Sequence, residues 1–244
     1  MLAKRRLKLL TDTRLEEIAL REGGVQATVT ISGGETRTLS AEAALISVGR
    51  KPVLEDLGLE KLQIARSRDY IAVNADMETN VPGIYAIGDV VPTQALAHLA
   101  SHEGIVAVSH IAGRDIEPIN YDLVPNCTYC VPEVASVGLS EEAARERGYD
   151  VITSKFPYAA AGKATILGEN EGFVKLVSEK KYKQILGVHI VGPNATENIA
   201  EGTALIGLEA TAADVSHLIH AHPTLSEGIM EAAHMLYSGA AIHY

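Results

Sequence analysis

The chain has 244 residues, of which 47% are hydrophobic and 21% charged, and its formal net charge is −10. This composition can supply a core and excludes a disordered chain, while the negative charge disfavours nucleic acids and anionic membranes as general partners. Two cysteines are too few for a disulfide scaffold and suit a reducing compartment. With no apolar run of about 18 residues, the sequence predicts a soluble cytoplasmic protein.

The first part of the chain predicts a β-hairpin. Residues 25–31 alternate between apolar and polar side chains, Gly33 and Gly34 form a turn, and residues 36–39 supply the partner strand. A further apolar strand is predicted at residues 43–48, ending before Gly49.

The middle of the chain predicts two strands and a helix. Residues 70–73 read as a short strand, and residues 84–87 as a buried strand that ends on Gly88 and Asp89. Residues 95–112 place apolar side chains on roughly one helical face, which predicts an α-helix.

From about Tyr121 onwards, several strands follow one another instead of alternating with helices. Strands are predicted at residues 126–130, 134–137, 151–156, 173–178 and 185–191, and helices starting at Ser140 and covering 195–208, 212–218 and 225–237. This order predicts an α+β domain.

Several common cofactor and metal motifs are absent. No two glycines are two residues apart, so the chain contains no G-x-G-x-x-G motif. Cys127 and Cys130 resemble a C-x-x-C pair, but an extended strand would separate them by about 10 Å, so packing roles are predicted. Glu231 and His234 match one half of a di-iron motif that must occur twice, and we predict no metal site.

The run from His220 to Glu227 is the strongest chemical signal. A histidine can exchange protons near neutral pH, and a carboxylate can fix its tautomer. A turn into a helix would bring Glu227 back to His222, which predicts a proton-transferring pair. The alternative is a helix capped by Thr224 or Ser226, with the histidines in a surface loop.

A second signal is the strand that delivers Asp89 immediately after Gly88. Such a carboxylate can accept hydrogen bonds from hydroxyl groups of a ligand, and the helix that follows can direct N–H groups at an electron-rich ring. The alternative is an ordinary Gly-Asp turn.

Taken in order, these segments resemble the flavin-dependent pyridine nucleotide–disulfide oxidoreductases, and among them the C-terminal half of dihydrolipoamide dehydrogenases. The matching segments are 44–52 (ALISVGRKP), 79–91 (TNVPGIYAIGDVV), 96–98 (LAH), 132–138 (PEVASVG), 172–176 (GFVKL), 186–192 (LGVHIVG), 220–227 (HAHPTLSE) and 241–243 (AIH). Each segment alone is weak evidence for the resemblance, but the whole set in this order is specific for the family.

The resemblance implies FAD and NAD as cofactors. It places Asp89 on the ribityl chain of FAD and Gly49 beside NAD. The flavin ring would lie against the start of the helix, at Ala95, Leu96, Ala97 and His98.

The resemblance also implies roles for the histidine run. His222 would be the base that takes a proton from the dithiol substrate, oriented by Glu227, and it would act across the interface of a homodimer. The further partner implied is a lipoyl-bearing protein of a 2-oxoacid dehydrogenase or glycine cleavage complex.

The chain departs from the family pattern, because a C-x-x-x-x-C redox pair is absent. We therefore expect residues 1–53 to be the later part of an NAD-binding domain and 54–120 the later part of an FAD-binding domain. Residues 121–244 would be a complete interface domain, and the chain alone would be inactive. The alternatives are another flavoprotein disulfide or mercuric reductase, or a non-catalytic dimerisation or binding protein.

Overall fold

The computed structural model describes residues 5–243 and divides the chain into two compact units. The first ends at Glu55 and the second begins at Asp56. The further boundary expected near residue 120 stays a prediction.

The first unit contains a three-stranded antiparallel sheet in the order β1–β2–β3. Its strands are β1 (Arg14–Arg21), β2 (Gly24–Thr30) and β3 (Thr36–Ala41). The predicted hairpin is confirmed, with Gly33 and Gly34 at positive φ in its turn. The strand β1 was not predicted, because a bulge between Leu15 and Glu17 breaks its alternation.

The strand predicted at residues 43–48 is wrong. The segment is not assigned to any strand, and the side chains of Leu45 and Val48 are 91% and 85% exposed. A strand exists only through hydrogen bonds to a neighbour. Among residues 5–243, no strand pairs with this segment, so its apolar composition alone was misleading.

The second unit begins with loops, a two-stranded ribbon and a long helix. The ribbon is β4 (Arg66–Ser67) and β5 (Tyr70–Ile71), and the helix is α1 (Ala97–Ile111). The predicted helix is therefore confirmed. The buried strand predicted at residues 84–87 is wrong, because Tyr85 makes only one antiparallel bridge, to Glu78, before the chain tightens into a 3-10 turn.

The rest of the second unit is built on a five-stranded antiparallel sheet in the order β6–β7–β10–β9–β8. Its strands are β6 (Asn126–Thr128), β7 (Val134–Gly138), β8 (Val151–Pro157), β9 (Phe173–Glu179) and β10 (Ile185–Val191). The helices are α2 (Glu141–Glu146), α3 (Gly162–Leu167), α4 (Ala195–Gly207), α5 (Ala212–His217) and α6 (Glu227–Ser238). All the predicted strands and helices of this region are confirmed; α3 was not predicted.

Successive side chains of a strand point to opposite faces of the sheet, and both faces are buried. Leu176 packs in the main core with Ile199 of α4 and Ile229 of α6, whereas the next residue, Val177, packs with Ala144 of α2. The main core therefore holds α4 and α6 on one face of the sheet. The α+β architecture with an antiparallel sheet that was predicted for this region is confirmed, whereas the α/β part of the expected fold concerns the NAD- and FAD-binding segments before it.

Among the described helices, none is long and apolar enough to cross a bilayer. The two cysteines are unpaired: Cys127 packs against the main core, whereas Cys130 is exposed, so the packing role predicted for Cys130 is wrong.

Candidate functional site

The loop between α5 and α6 is shaped by hydrogen bonds that start in its own sequence. The Thr224 hydroxyl donates to the Ala221 carbonyl at 2.7 Å, and the Thr224 N–H donates to Glu227 Oε2 at 2.7 Å. Ser226 precedes α6 but makes no side-chain capping bond. Glu227, the first residue of α6, therefore closes the loop, and its carboxylate lies at the positive end of the helix dipole.

His222 and Glu227 form the contact that the sequence analysis expected. His222 Nδ1 lies 2.8 Å from Glu227 Oε1, and no other hydrogen bond of the His222 ring is found within residues 5–243. The His222 side chain is 69% exposed, whereas that of Glu227 is 14% exposed. An ionised carboxylate only accepts hydrogen bonds, so Nδ1 carries the proton and Nε2 is the basic atom of the neutral ring.

The Glu227 carboxylate is held in its charged form. Burial raises its pKa, but the hydrogen bonds from Thr224 N–H and His222, together with the charges of His222 and His243, outweigh burial and leave the pKa below its ordinary value. Glu227 can therefore stabilise a positive charge that forms on His222.

A second imidazole–carboxylate pair lies just before the first. His220 Nε2 is 2.7 Å from Glu201 Oε1 of α4, and the His220 side chain is only 8% exposed. The hydrogen bond to Glu201 raises the pKa of His220 above its ordinary value, although burial acts in the opposite direction. This pair was not predicted, because nothing in the local pattern links His220 to a residue 19 positions earlier.

A third pair involves Glu231, which the sequence analysis had considered with His234. Glu231 instead accepts hydrogen bonds from His243 Nδ1 and from the Ile242 N–H. No group of three His, Cys, Asp or Glu side chains within residues 5–243 could hold a metal ion.

Two cavities adjoin the His222–Glu227 pair. One of 430 Å³ extends towards His217, Ile219 and His234, and the other of 230 Å³ extends towards Ala161 and Gly162 at the start of α3. Nε2 of His222 can therefore be approached by a small molecule. A larger cavity of 530 Å³, between α1 and residues 116–125, does not include this pair.

Asp89 lies in the 3-10 turn Gly88–Val90 and is exposed. The turn is anchored by Glu103 of α1, whose side chain is fully buried and accepts the Gly88 N–H and the Thr93 hydroxyl, each at 2.7 Å. The role of Glu103 was not predicted. The sequence does contain a signal for this role, because Glu103 stands between Leu99 and Val106, where helical spacing predicts an apolar residue.

The other predicted cofactor-contacting residues lie at the start of α1 and in the first unit. Leu96 precedes the helix and gives it no side-chain cap, so the first-turn N–H groups of Ala97 and its neighbours lack that partner. His98 Nε2 is bonded instead to the Pro125 carbonyl at 2.9 Å. Ala95 directly precedes Leu96, whereas exposed Gly49 lies in the first unit at φ +140°.

Two family models match the chain. The model described as pyridine nucleotide-disulphide oxidoreductase matches residues 1–104, and its dimerisation-domain model matches residues 124–233. Together the two models leave only the connection between them and the last residues unmatched.

Curated relatives carry the name dihydrolipoyl dehydrogenase. That of Bacillus subtilis is 48% identical over 86% of this chain and 44% of the relative. That of Geobacillus stearothermophilus is 44% identical over 99% of this chain and 51% of the relative. The chain thus spans about half the length of the curated relatives it matches.

Solved structures show the same fold. LpdA from Mycobacterium tuberculosis superposes with a TM-score of 0.84 at 28% identity, covering 96% of this chain and 50% of that chain. The HOCl-induced flavoprotein disulfide reductase RclA from Escherichia coli gives a TM-score of 0.79 at 24% identity, which shows likeness of fold alone; it covers 90% of this chain and 50% of RclA.

Proposed function

Since the chain belongs to the pyridine nucleotide-disulphide oxidoreductase family, we propose that it supplies the proton-transferring site of a dihydrolipoyl dehydrogenase. The observation that carries this proposal is the 2.8 Å contact between His222 Nδ1 and Glu227 Oε1 beside two open cavities. This contact leaves Nε2 of His222 as a base that a thiol can reach.

The role of the pair follows from the chemistry of dithiol oxidation. Two thiols become a disulfide by losing two protons and two electrons; NAD+ takes up a hydride, and one proton reaches the solvent. In this proposal His222 Nε2 accepts a proton from one thiol, because a thiolate attacks a disulfide far faster than a thiol does. Glu227 stabilises the imidazolium that forms and keeps its ring oriented.

The cofactor residues remain part of the proposal. Asp89 would bind the ribityl hydroxyls of FAD, and Ala95, Leu96, Ala97 and His98 would lie near its ring, while Gly49 would lie beside NAD. FAD, when bound, passes two electrons between the disulfide and NAD+. The lack of a side-chain cap at Leu96 fits this role, because first-turn N–H groups can then stabilise negative charge on a ligand.

The partners proposed are a second copy of the chain and a lipoyl-bearing protein of a 2-oxoacid dehydrogenase or glycine cleavage complex. The match of residues 124–233 to the family's dimerisation domain supports the homodimer. We propose that the 244-residue chain alone has no turnover, because its only cysteines, Cys127 and Cys130, are not in a C-x-x-x-x-C pair.

The test uses a chimera in which this chain is joined to the N-terminal portion of a full-length relative. We would replace the matching portion of the Geobacillus stearothermophilus relative with this chain and measure NADH formation from dihydrolipoamide. We expect His222→Gln to lower kcat about 10²- to 10⁴-fold, the usual contribution of a positioned base. His102→Gln, on exposed α1 surface, is the matched control. A kcat of His222→Gln within a few-fold of that of the unmutated chimera would contradict the proposal.

A further inference from the structure

Glu231 is a buried residue of α6 that the proposed proton transfer does not use. It is only 1% exposed, and a buried carboxyl group is costly unless hydrogen-bond partners satisfy it. Both partners come from the segment after α6. Oε2 of Glu231 accepts the Ile242 N–H at 2.6 Å, and Oε1 lies 2.5 Å from His243 Nδ1. Glu231 therefore ties this segment back onto the helix that also carries Glu227.

Residues 239–243, here called the return segment, are held at three points. Gly239 has φ +88° directly after α6, a left-handed conformation in which the chain leaves the helix and turns back. Ala241 packs against the main core, and Ile242 is bonded to Glu231 through its N–H. The position of the return segment is therefore fixed by the fold of the domain.

The side chain of Ile242 lies on the surface of the candidate site. It is 57% exposed and borders the 430 Å³ cavity beside His222. Leu218 and Met230 are further apolar residues of the same cavity. A molecule that reaches His222 through this cavity therefore passes an aliphatic surface.

We propose that Ile242 is an apolar contact for the hydrocarbon part of the dithiol substrate, and that Glu231 is the positioning residue that holds it there. The inference rests on the proposed function, in which a thiol approaches His222. Dihydrolipoamide carries its two thiols at one end of an aliphatic chain, so a thiol at His222 places hydrocarbon beside it. This contact is the same before and during proton transfer, so it lowers KM and leaves kcat unchanged.

The first test compares two dithiols in the chimera described above. Dihydrolipoamide has the aliphatic chain, whereas dithiothreitol has two thiols and no hydrocarbon tail. We expect Ile242→Ser to raise the KM for dihydrolipoamide about tenfold, the lower end of what a methylene group contributes in an apolar pocket. The kcat, and the KM for dithiothreitol, should change less than about twofold.

The matched control is Ile166→Ser. Ile166 is 66% exposed on α3 and is not among the residues that line the two cavities beside His222. Both of its KM values should stay within about twofold of those of the unmutated chimera. A ratio of the two KM values in Ile242→Ser equal to that in this control would overturn the inference.

A second variant tests the positioning role of Glu231 without turnover. Glu231→Leu fills the same space but removes the acceptor, so the Ile242 amide of the 244-residue chain should exchange with water about tenfold faster. Glu146→Leu, on the exposed surface of α2, is the control and should leave this exchange unchanged. Exchange in folded Glu231→Leu as slow as in the control would show that Glu231 does not hold the return segment. Thermal melting checks that both variants fold, and Ile242→Ser decides the substrate contact whether or not Glu231→Leu folds.

The outcomes separate this inference from the proposed function. If His222→Gln were harmless, the proton acceptor would be wrongly assigned, while the ratio of KM values would still report on Ile242. If His222→Gln were severe and that ratio were unchanged in Ile242→Ser, His222 would remain the base. Only the roles of Ile242 and Glu231 would then fail.

Discussion

His220 and His222 are separated by only one residue, but their side chains have opposite environments. His220 is 8% exposed and bonded to Glu201, whereas His222 is 69% exposed and bonded to Glu227. In an extended segment, residues two apart would share a side, so the turn of the loop is what separates the two rings. One histidine therefore anchors the loop to α4, and the other remains open to a ligand.

We expect His220→Gln to destabilise the chain more in acid than in base. The hydrogen bond to Glu201 makes the pKa of His220 higher in the folded chain than in the unfolded one. The extra stability is thus complete below the ordinary value of about 6.5 and is lost as the pH rises through the folded value. Below pH 6 the loss should be about 1.5–3 kcal/mol, as for a hydrogen bond between charged groups.

Urea unfolding at pH 5.5 and pH 9 measures this difference. His102→Gln, on the exposed surface of α1, is the control and should change the free energy of unfolding equally little at both values. An equal loss for His220→Gln at the two pH values would contradict the charged pair.

The His222–Glu227 contact could be predicted from the sequence, because a turn entering a helix brings residues five apart together. The other two pairs could not. Glu201 and His220 are 19 residues apart on separate elements, and Glu231 and His243 meet only because the chain turns back after α6. A base and its carboxylate are therefore predictable from the sequence, whereas the groups that anchor the surrounding loop are not.

At the scale of elements, α1 and the turn at Gly88 form one unit through Glu103. The buried carboxylate takes the Gly88 N–H and the Thr93 hydroxyl on its two oxygens. Gly88 itself has φ +71°, which strains any residue with a Cβ, and a Cβ there would also lie only 3.3 Å from that of Ala100, so glycine is favoured at this position. The position of Asp89 thus depends on a residue 14 positions later.

We expect Glu103→Gln to loosen this turn. The amide oxygen can still accept the Gly88 N–H, and the NH2 group can donate to the Thr93 hydroxyl, but each neutral hydrogen bond is about 1 kcal/mol weaker than one to a carboxylate. Hydrogen exchange should show faster exchange of the Gly88 amide, and thermal melting should show lower stability.

The control for this variant is Glu117→Gln, an exposed carboxylate in the loop after α1. Gly88 exchange as slow in Glu103→Gln as in the control would show that the carboxylate does not hold the turn.

Whether a strand could be predicted depended on whether its apolar pattern also had a pairing partner. The strands β7 to β10 were found because each has a strand-like apolar pattern and a paired neighbour, even where that neighbour is distant in the sequence, as for Gly138 of β7 and Gly187 of β10. Residues 43–48 and 84–87 have strand-like composition, but the described chain offers them no ladder or only the single bridge from Tyr85. The composition of a segment indicates its tendency to be buried, whereas a strand also needs a partner strand at the correct register.

At the scale of the whole molecule, the exposed apolar side chains of Leu218 and Ile219 border the His222 cavity. Ile219 is fully exposed, and the neighbouring Leu218 is exposed as well. An exposed apolar patch with a polar rim is typical of a protein interface. This fits the proposal that the site operates against a second copy of the chain.

We expect Ile219→Asp to weaken dimerisation, because a charge would be buried against the partner. Light scattering on the unmutated chain should give twice the 26.0 kDa of one chain, and the variant should shift towards a single chain at the same concentration. Leu208→Asp is the matched control, since Leu208 is 81% exposed but lies outside the cavity. A variant that remained as dimeric as this control would remove Ile219 from the interface.

The three carboxylates that hold the histidines all belong to helices packed on the five-stranded sheet. Glu201 is in α4, and Glu227 and Glu231 are in α6, whose inner residues Ile229, Ala232 and Ala233 are fully buried. The geometry of the proton-transferring pair is therefore tied to the cooperative unit of the domain rather than to a loosely held loop. Loss of the His222–Glu227 contact on heating should accordingly coincide with global melting, so better core packing would also preserve this pair to a higher temperature.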